Sequence, residues 1–211
     1  KGYTFERHNS IVREGGFSRA AWTELAELGL CGLYISEDHG GMGMGPTEGM
    51  LAMEELGRGI VMEPLAHALI AGGVFSGYAP ADVQAEWLPK VASGEALIVL
   101  AHQERKARYQ LDKCEAKATP AQAGWTLTAT KSIVPAGDQA DAYLVPAMVD
   151  GTLAMFLVER NASGVIAQGY GTQDGSRAAE VVFDNAAATL VTRDGLTALE
   201  HAVDIGIAAL C

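Results

Sequence analysis

The sequence contains few cysteines, and their arrangement excludes two common kinds of stabilising site. Cys31, Cys114 and Cys211 are odd in number, widely spaced and without any Cys-x-x-Cys pair. This pattern argues against a disulfide framework and against a structural zinc site, and it is compatible with a reducing compartment. We therefore expect a cytoplasmic protein without a metal centre.

Long apolar runs and an excess of basic residues are also missing. No run approaches the roughly 18 apolar residues that a membrane-spanning helix needs. The chain carries 26 acidic and 15 basic residues, for a formal net charge of -11. Such a surface repels a phosphate backbone, so the composition predicts neither a membrane span nor a nucleic-acid partner.

Local catalytic signatures are absent as well. The sequence has no Ser/His/Asp grouping, no His-Glu-x-x-His and no Gly-x-Ser-x-Gly, and its five histidines show no metal-ligand spacing. Two of them, His67 and His201, fall within predicted helices, where we expect ordinary structural roles. The adjacent Glu54 and Glu55 would point about 100° apart on a helix, which makes a poor acid/base pair. No catalytic residue is predicted within this chain.

The glycine-rich segment 39–45 resembles a phosphate-binding turn only superficially. Taking Gly41 and Gly43 as the first pair of a dinucleotide fingerprint, the third glycine should stand at the position of Pro46. No alternation of strands and helices follows it. The segment therefore predicts a loop between two helices.

Residues 1–95 predict an N-terminal helical domain. Apolar residues recur at helical spacing in four segments, and prolines open two of the helices. One of these helices, beginning at Pro64, is apolar around most of its circumference, which predicts burial. The apolar positions that define the other three are Ala21, Leu25 and Leu28; Met50, Met53 and Leu56; and Val83, Trp87, Leu88 and Val91.

Residues 96–192 predict a β-rich middle domain. Trp125, Leu127 and Ala129 alternate with threonines, as in a strand with one buried face. Asp150-Gly151 separates two β-rich runs and predicts a hairpin turn. Further strands are expected at 114–119, 164–168 and 179–183. Their close spacing favours an antiparallel barrel or sandwich over βαβ units.

Residues 193–211 return to helical period, with Leu199, Val203, Ile207 and Leu210 on one stripe. Nothing terminates this helix, and the chain has no initiator Met. We expect both ends to be cuts in a longer chain, with further helices following. The predicted fold class is α+β: an N-terminal helical domain, an antiparallel β-barrel or sandwich, and the start of a C-terminal helix.

The segment 104–113 concentrates positive charge in an acidic protein. Arg105, Lys106, Arg108 and Lys113 lie within ten residues. Arginine can bind a nucleotide or CoA phosphate with two parallel hydrogen bonds, and lysine can bind it as a point charge. The alternative is a surface loop whose charges face water, and local sequence does not decide between them.

Four segments together resemble the acyl-CoA dehydrogenase family. The likeness covers nearly everything from Phe17 to Cys211. Ser36 stands where the family's Pro-Glu-x-x-Gly-Gly-x-Gly loop has its proline. The four segments are ELGLCGLYISEDHGGMGMG, EELGRGIVMEPL, WLPKVASGEALIVLAHQE and GWTLTATKSIVPAGDQADAYLVPA.

The resemblance implies an FAD-dependent enzyme that removes the α-proton and the β-hydrogen of an acyl-CoA thioester. In this family FAD lies between the β-domain and a C-terminal helical bundle that carries a glutamate base, so the base is expected outside this chain segment. The implied partners are an acyl-CoA substrate, an electron-transferring flavoprotein, and further subunits in a homodimer, homotetramer or heterotetramer with a sister dehydrogenase. The reaction needs a positioned base and a dry electron acceptor on opposite faces of the substrate.

The resemblance also implies site residues, with departures from the family's usual ones. The flavin loop usually reads Thr-Glu-Pro-Gly-x-Gly-Ser-Asp, and the aligned run here begins at Gln103 and keeps only Glu104. The second flavin segment usually reads Trp-Ile-Thr-Asn-Gly, and the aligned run begins at Ser132. The expected flavin contacts are Leu100, His102, Gln103, Ser132, Ile133 and Val134, and the expected substrate contacts are Arg108 and Tyr109.

Two hypotheses follow from the architecture and the departures. The retained architecture favours an active dehydrogenase of an unusual branch. The altered flavin loop favours a non-catalytic or half-site subunit of a heteromeric acyl-CoA dehydrogenase complex. Both remain open from the sequence.

Overall fold

The computed structural model describes residues 3–122 and 124–211. Within these ranges, six α-helices, two short 3₁₀ helices (Leu30–Gly32 and Glu37–His39) and seven strands follow one another in the order expected for the fold class. The helices are α1 (Phe5–Arg13), α2 (Arg19–Glu27), α3 (Pro46–Gly59), α4 (Leu65–Tyr78), α5 (Ala81–Ala92) and α6 (Gly195–Leu210). The strands are β1 (Ile98–Leu100), β2 (Lys117–Ala121), β3 (Gly124–Pro135), β4 (Ala142–Val149), β5 (Thr152–Glu159), β6 (Val165–Gly171) and β7 (Arg177–Thr192).

The N-terminal helices begin earlier than periodicity predicts. Helix α1 lies before the first predicted helix and has a single buried residue, Ile11. The predicted apolar face of α2 includes Leu28, but the helix ends at Glu27 and Leu28 is 69% exposed, so the prediction is wrong at this position. Met50 of α3 is also exposed. The four predicted helices are otherwise present, with Pro46 at the start of α3.

The glycine-rich segment is an interhelical loop, as predicted. The backbone N–H groups of Met42, Gly43 and Met44 donate to carbonyls within residues 32–35. Gly41 is required by the close approach of the chain, since a Cβ there would lie 2.1 Å from the Ile35 carbonyl oxygen. These N–H groups are satisfied internally and are not presented to a phosphate.

The strands close into a barrel. The order of hydrogen-bonded strands is β4–β2–β3–β7–β5, and β5 pairs with β4 to close the barrel. In addition, β1 pairs with β4, and β6 pairs with β7. Asp150 and Gly151 both have positive φ and join β4 to β5, which confirms the predicted hairpin. The pairing of β1 with β4 is parallel, contrary to the antiparallel expectation. The intervening β2–β3 excursion provides the long connection that parallel pairing needs.

Helix α4 lies between the helical layer and the barrel and packs against α5, α6 and β1. Its buried residues cover most of its circumference, as predicted. Helix α6 returns against the barrel, where a Cβ at Gly195 would lie 2.5 Å from the Ala154 backbone. Of the stripe predicted for α6, Leu199 is buried, whereas Ile207 and Leu210 are exposed. None of the helices in the described ranges is both long and apolar enough to cross a bilayer.

Candidate functional site

A buried ion pair holds the segment after β1 against the barrel. Lys131 Nζ lies 2.7 Å from Glu104 Oε1, and the two side chains are 0% and 6% exposed. Lys131 Nζ also donates to the carbonyl oxygens of Pro146 at 3.0 Å and His102 at 3.4 Å. Three segments that are distant in sequence therefore meet at one ammonium group.

The Glu104 carboxylate is satisfied from its other side by backbone donors. It accepts the N–H of Glu115 at 2.6 Å and that of Ala116 at 3.1 Å. Burial alone would raise the pKa of Glu104, but Lys131 and these two N–H groups outweigh burial and lower the pKa below its ordinary value. The carboxylate is thus charged and closes the ends of the loop 104–115.

The pairing of Lys131 with Glu104 was missed from the sequence, although a signal for it exists. Lys131 continues the alternation of Leu127 and Ala129, so it lies on the buried face of β3. A lysine on the buried face of a strand requires a charged or carbonyl partner. Glu104, the one residue kept from the usual flavin loop, is that partner.

A bulge in β3 follows Lys131 and sets the exposure of the next three residues. The register with β7 shifts between Lys131 and Val134, and Ile133 has φ +51° and is 58% exposed. Ser132 donates its N–H to the Gln103 carbonyl at 2.9 Å, which joins the bulge to the loop after β1. Val134 is 1% exposed and its side chain lies in the core. The bulge therefore presents Ile133 to the surface and withdraws Val134.

The structure brings five of the eight predicted site residues to one surface depression of about 400 Å³. Val134 is not among the lining residues. Leu100 and His102 line a different cavity. The depression is lined by Gln103, Glu104, Arg105, Arg108, Tyr109, Ser132 and Ile133.

The basic residues of the loop divide into paired and unpaired groups. Arg105 lies 3.4 Å from Glu180, and Lys106 lies 3.0 Å from Glu115. Arg108 has φ +54° and forms no ion pair with any residue that the structure describes. Tyr109 is 95% exposed. Arg105 and Lys106 thus fit the surface-loop alternative, whereas Arg108 retains its full capacity to bind an anion.

The second cavity, of about 450 Å³, lies between the helices and the edge of the barrel. Helices α4 and α6 form two of its walls, and Leu100, His102, Pro135 and Ala136 form the barrel side. Most of the other lining side chains are apolar, including Met53, Ile70, Val203, Ile207 and Leu210. Ile207 and Leu210, the exposed residues of the predicted α6 stripe, therefore face this cavity, which explains why the stripe is not fully buried.

Four titratable side chains interrupt the apolar lining: Glu63, His67, His102 and Arg177, the last of which pairs with Asp138. Glu63 is buried, burial raises its pKa, and its Oε2 has no hydrogen-bond partner within the described part of the chain. His67 and His102 lie at the barrel end, and burial lowers the pKa of each to about 4. The second cause is mutual proximity for His67 and the charge of Lys131 for His102. Both rings are neutral near pH 7.

His67, for which the sequence predicts an ordinary structural role, lines this cavity. The ring faces the cavity, and its Nδ1 accepts the backbone N–H of Leu100 at 3.3 Å. Periodicity places the residue on a buried helix but does not reveal a cavity beside it. His201, by contrast, lies on α6 against Tyr78 and does not line the cavity.

Comparison with known proteins identifies the helical part of the chain. Residues 5–95 match the family model described as "Acyl-CoA dehydrogenase, N-terminal domain". The chain is 29% identical over 153 residues to "Acyl-CoA dehydrogenase FadE27" of Mycobacterium tuberculosis, a match that covers 72% of this chain and 40% of that protein.

Solved structures share the fold over almost the whole chain. The "Tcur3481-Tcur3483 steroid ACAD" variant has a TM-score of 0.88 at 27% identity and covers 98% of this chain and 57% of that one. A glutaryl-CoA dehydrogenase from Mycobacterium smegmatis in complex with FADH2 has a TM-score of 0.79 at 20% identity and covers 93% of this chain and 53% of that one. The chain thus spans about half the length of the proteins that it resembles. Residues 5–95 thus match the acyl-CoA dehydrogenase N-terminal domain, and over almost its whole length the chain is similar to acyl-CoA dehydrogenases in sequence and in helix–barrel architecture.

Proposed function

We propose that this chain supplies the flavin-binding and acyl-binding half of an FAD-dependent acyl-CoA dehydrogenase, which introduces an α,β double bond into an acyl-CoA thioester. The observation that carries the proposal is the apolar cavity beside the barrel edge, where Leu100 and His102 lie next to walls formed by α4 and α6. A cavity of about 450 Å³ with a mostly apolar lining suits a medium-sized hydrophobic acyl group. The proposal extends to family partners, an electron-transferring flavoprotein and further subunits, and to a cytoplasmic location.

The residues around the β3 bulge fit part of a flavin. The Gln103 side-chain amide can donate and accept hydrogen bonds at a pyrimidine edge, and the exposed Ile133 offers an apolar contact to a ring face. Arg108 can pair with a phosphate. The M. smegmatis glutaryl-CoA dehydrogenase, which has the same fold, contains FADH2. When bound, FAD would accept the substrate's β-hydrogen as a hydride.

This chain's own residues position, dehydrate and anchor the site. The Glu104–Lys131 pair fixes the backbone of His102 and Gln103 against β3 and β4. The apolar walls exclude water from the acyl group, which keeps a developing charge beside the thioester in a low-dielectric environment. The proposed glutamate base lies outside this segment, so the reaction requires the helices that complete the cavity.

A second candidate is a half-site subunit of a heteromeric complex. The observation that favours it is the loop at Arg108 and Tyr109, where a cation and an almost fully exposed aromatic ring replace the small residues expected beside flavin and CoA. The structurally similar Tcur3481-Tcur3483 steroid ACAD carries a two-component name. In this alternative, the chain contributes the acyl cavity and a sister subunit completes the flavin site.

The full-length protein distinguishes the two functions. The first predicts a yellow sample with one flavin per chain whose absorbance near 450 nm bleaches on addition of an acyl-CoA. The second predicts a colourless sample that gains flavin when its sister subunit is co-expressed. A colourless sample that stays colourless with every co-expressed dehydrogenase subunit, and that binds no acyl-CoA, would contradict both.

A further inference from the structure

His67 has a hydrogen-bond geometry that fixes which of its ring nitrogens carries the proton. The backbone N–H of Leu100 donates to Nδ1 at 3.3 Å, so Nδ1 is the unprotonated nitrogen. In a neutral ring the proton must then lie on Nε2. Burial and the neighbouring His102 keep the ring neutral, with a pKa of about 4.

The Nε2–H group has no protein acceptor within the described ranges. Among the residues that the structure describes, Leu100 is the one hydrogen-bond partner of the His67 side chain. The ring is deeply placed in the fold yet keeps partial surface, because it borders the cavity of about 450 Å³. Water can meet this donor in the open cavity, but a ligand that fills the cavity displaces that water and must supply an acceptor or leave the donor unpaired.

The surroundings select the chemistry of that acceptor. His67 and His102 are both neutral and lie close to each other at the barrel end of the cavity. A neutral N–H in a mostly apolar site favours a neutral acceptor such as a carbonyl oxygen, since the cation among the described lining residues, Arg177, already pairs with Asp138 and an anion would be desolvated there without a free counter-charge. The same end contains Leu100, on the flavin edge of the proposed site.

We propose that His67 is a ligand-binding residue whose Nε2–H donates a hydrogen bond to a carbonyl oxygen of the ligand held at the Leu100–His102 end of the cavity. The proposal rests on the proposed function, which supplies two sources of this chemistry: the thioester carbonyl of the acyl-CoA and a carbonyl of the flavin. Through this hydrogen bond, His67 would favour a thioester over an otherwise identical ligand that lacks the carbonyl.

Two variants of His67 separate its two hydrogen bonds. His67→Asn places an amide oxygen near the position of Nδ1, so the Leu100 N–H keeps an acceptor while the Nε2 donor is lost. His67→Gln places an amide nitrogen near the position of Nε2 and restores the donor. His201→Asn is the matched control, because His201 is also a helical histidine but does not line the cavity.

The test measures binding of hexanoyl-CoA, its carbonyl-free analogue S-hexyl-CoA, and FAD to the full-length protein. We expect His67→Asn to weaken hexanoyl-CoA binding about three- to ten-fold, the loss of one hydrogen bond, while S-hexyl-CoA binding stays unchanged. His67→Gln should recover most of the loss. If FAD affinity falls instead, with the thioester preference intact, the carbonyl is that of the flavin, and the proposal also holds.

Unchanged FAD affinity and an unchanged preference for the thioester in His67→Asn would overturn the proposal. In that case a wild-type protein that contains flavin and is bleached by acyl-CoA would still support the proposed function. A wild-type protein that binds neither FAD nor a CoA ester would contradict both the proposed function and the proposed role of His67. A ¹⁵N spectrum of labelled histidine gives a second readout: a tautomer protonated at Nδ1 would also overturn the proposal.

Discussion

Breaking the Glu104–Lys131 pair should destabilise the protein strongly and non-additively. In Lys131→Met, the Glu104 carboxylate stays buried with two backbone N–H donors and the weak Cys114 thiol donor, and the carbonyl oxygens of Pro146 and His102 lose their shared donor. Removing one member of a buried pair costs about 3–5 kcal/mol. We expect a loss of this size in the free energy of unfolding.

The reciprocal variant Glu104→Gln leaves the Lys131 ammonium without a counter-charge at a position that is 0% exposed. Its amide nitrogen would also face the Glu115 N–H, which donates to Oε2 at 2.6 Å in the wild type. We expect a loss of the same order, about 3–5 kcal/mol. The double variant should lose less than the sum by more than about 1 kcal/mol, because its second substitution removes a charge that is already unpaired.

The assay is urea unfolding of the full-length protein followed by tryptophan fluorescence. Lys106→Met is the matched control, since Lys106 pairs with Glu115 on the surface, where both side chains are more than half exposed. An exposed pair contributes about 0–1 kcal/mol. Single variants within 1 kcal/mol of the wild type, or a double variant equal to the sum, would refute the reasoning about the buried pair.

Three further predictions follow from the site. Ile133→Trp should tighten flavin binding about two- to ten-fold, because it adds a ring contact at the exposed bulge; flavin fluorescence measures the change. Leu51→Trp, at an exposed position of α3, is the control and should leave flavin binding unchanged. Equal effects of the two variants would contradict the assignment of the bulge to flavin. Arg108→Ala should weaken FAD or CoA-ester binding with little change in the free energy of unfolding, whereas Lys106→Ala should leave binding unchanged. If Arg108→Ala binds both ligands with unaltered affinity, the loop is a solvated surface loop without a binding role. Stability should fall as the pH drops from about 6.5 toward 4, because His67 and His102 bind protons in the unfolded state first, their folded pKa values being about 4. The lowered pKa of His67 corresponds to about 3 kcal/mol of free energy of unfolding. If the stability of His67→Asn falls with acid in the same way as that of the wild type, this account of the pH dependence is wrong.

Much of the fold followed from local patterns. The two-residue alternation of β3 and the Asp150-Gly151 turn are determined by neighbouring residues, and the structure contains both. Helix α1 was missed: it is short, contains few apolar residues and buries only Ile11. The parallel β1–β4 pairing was also missed, since it joins segments more than forty residues apart.

The candidate site was less accessible to prediction. The residues expected around flavin line two different cavities rather than one. Val134 lines neither cavity, because the register shift in β3 reverses which side chains face outward. The departures at Arg108 and Tyr109 were visible in the sequence. Their exposure, and the absence of an ion pair for Arg108 among the described residues, were not.

The sequence by itself determined most of the secondary structure, the fold class and the resemblance to acyl-CoA dehydrogenases, because periodicity, turn residues and family segments are local properties of the chain. Only the tertiary structure decided that Lys131 neutralises Glu104 and that His67 faces a cavity with a fixed tautomer. Both depend on distances between segments far apart in sequence. The charge state and hydrogen-bonding capacity of a buried group depend on those distances rather than on residue type.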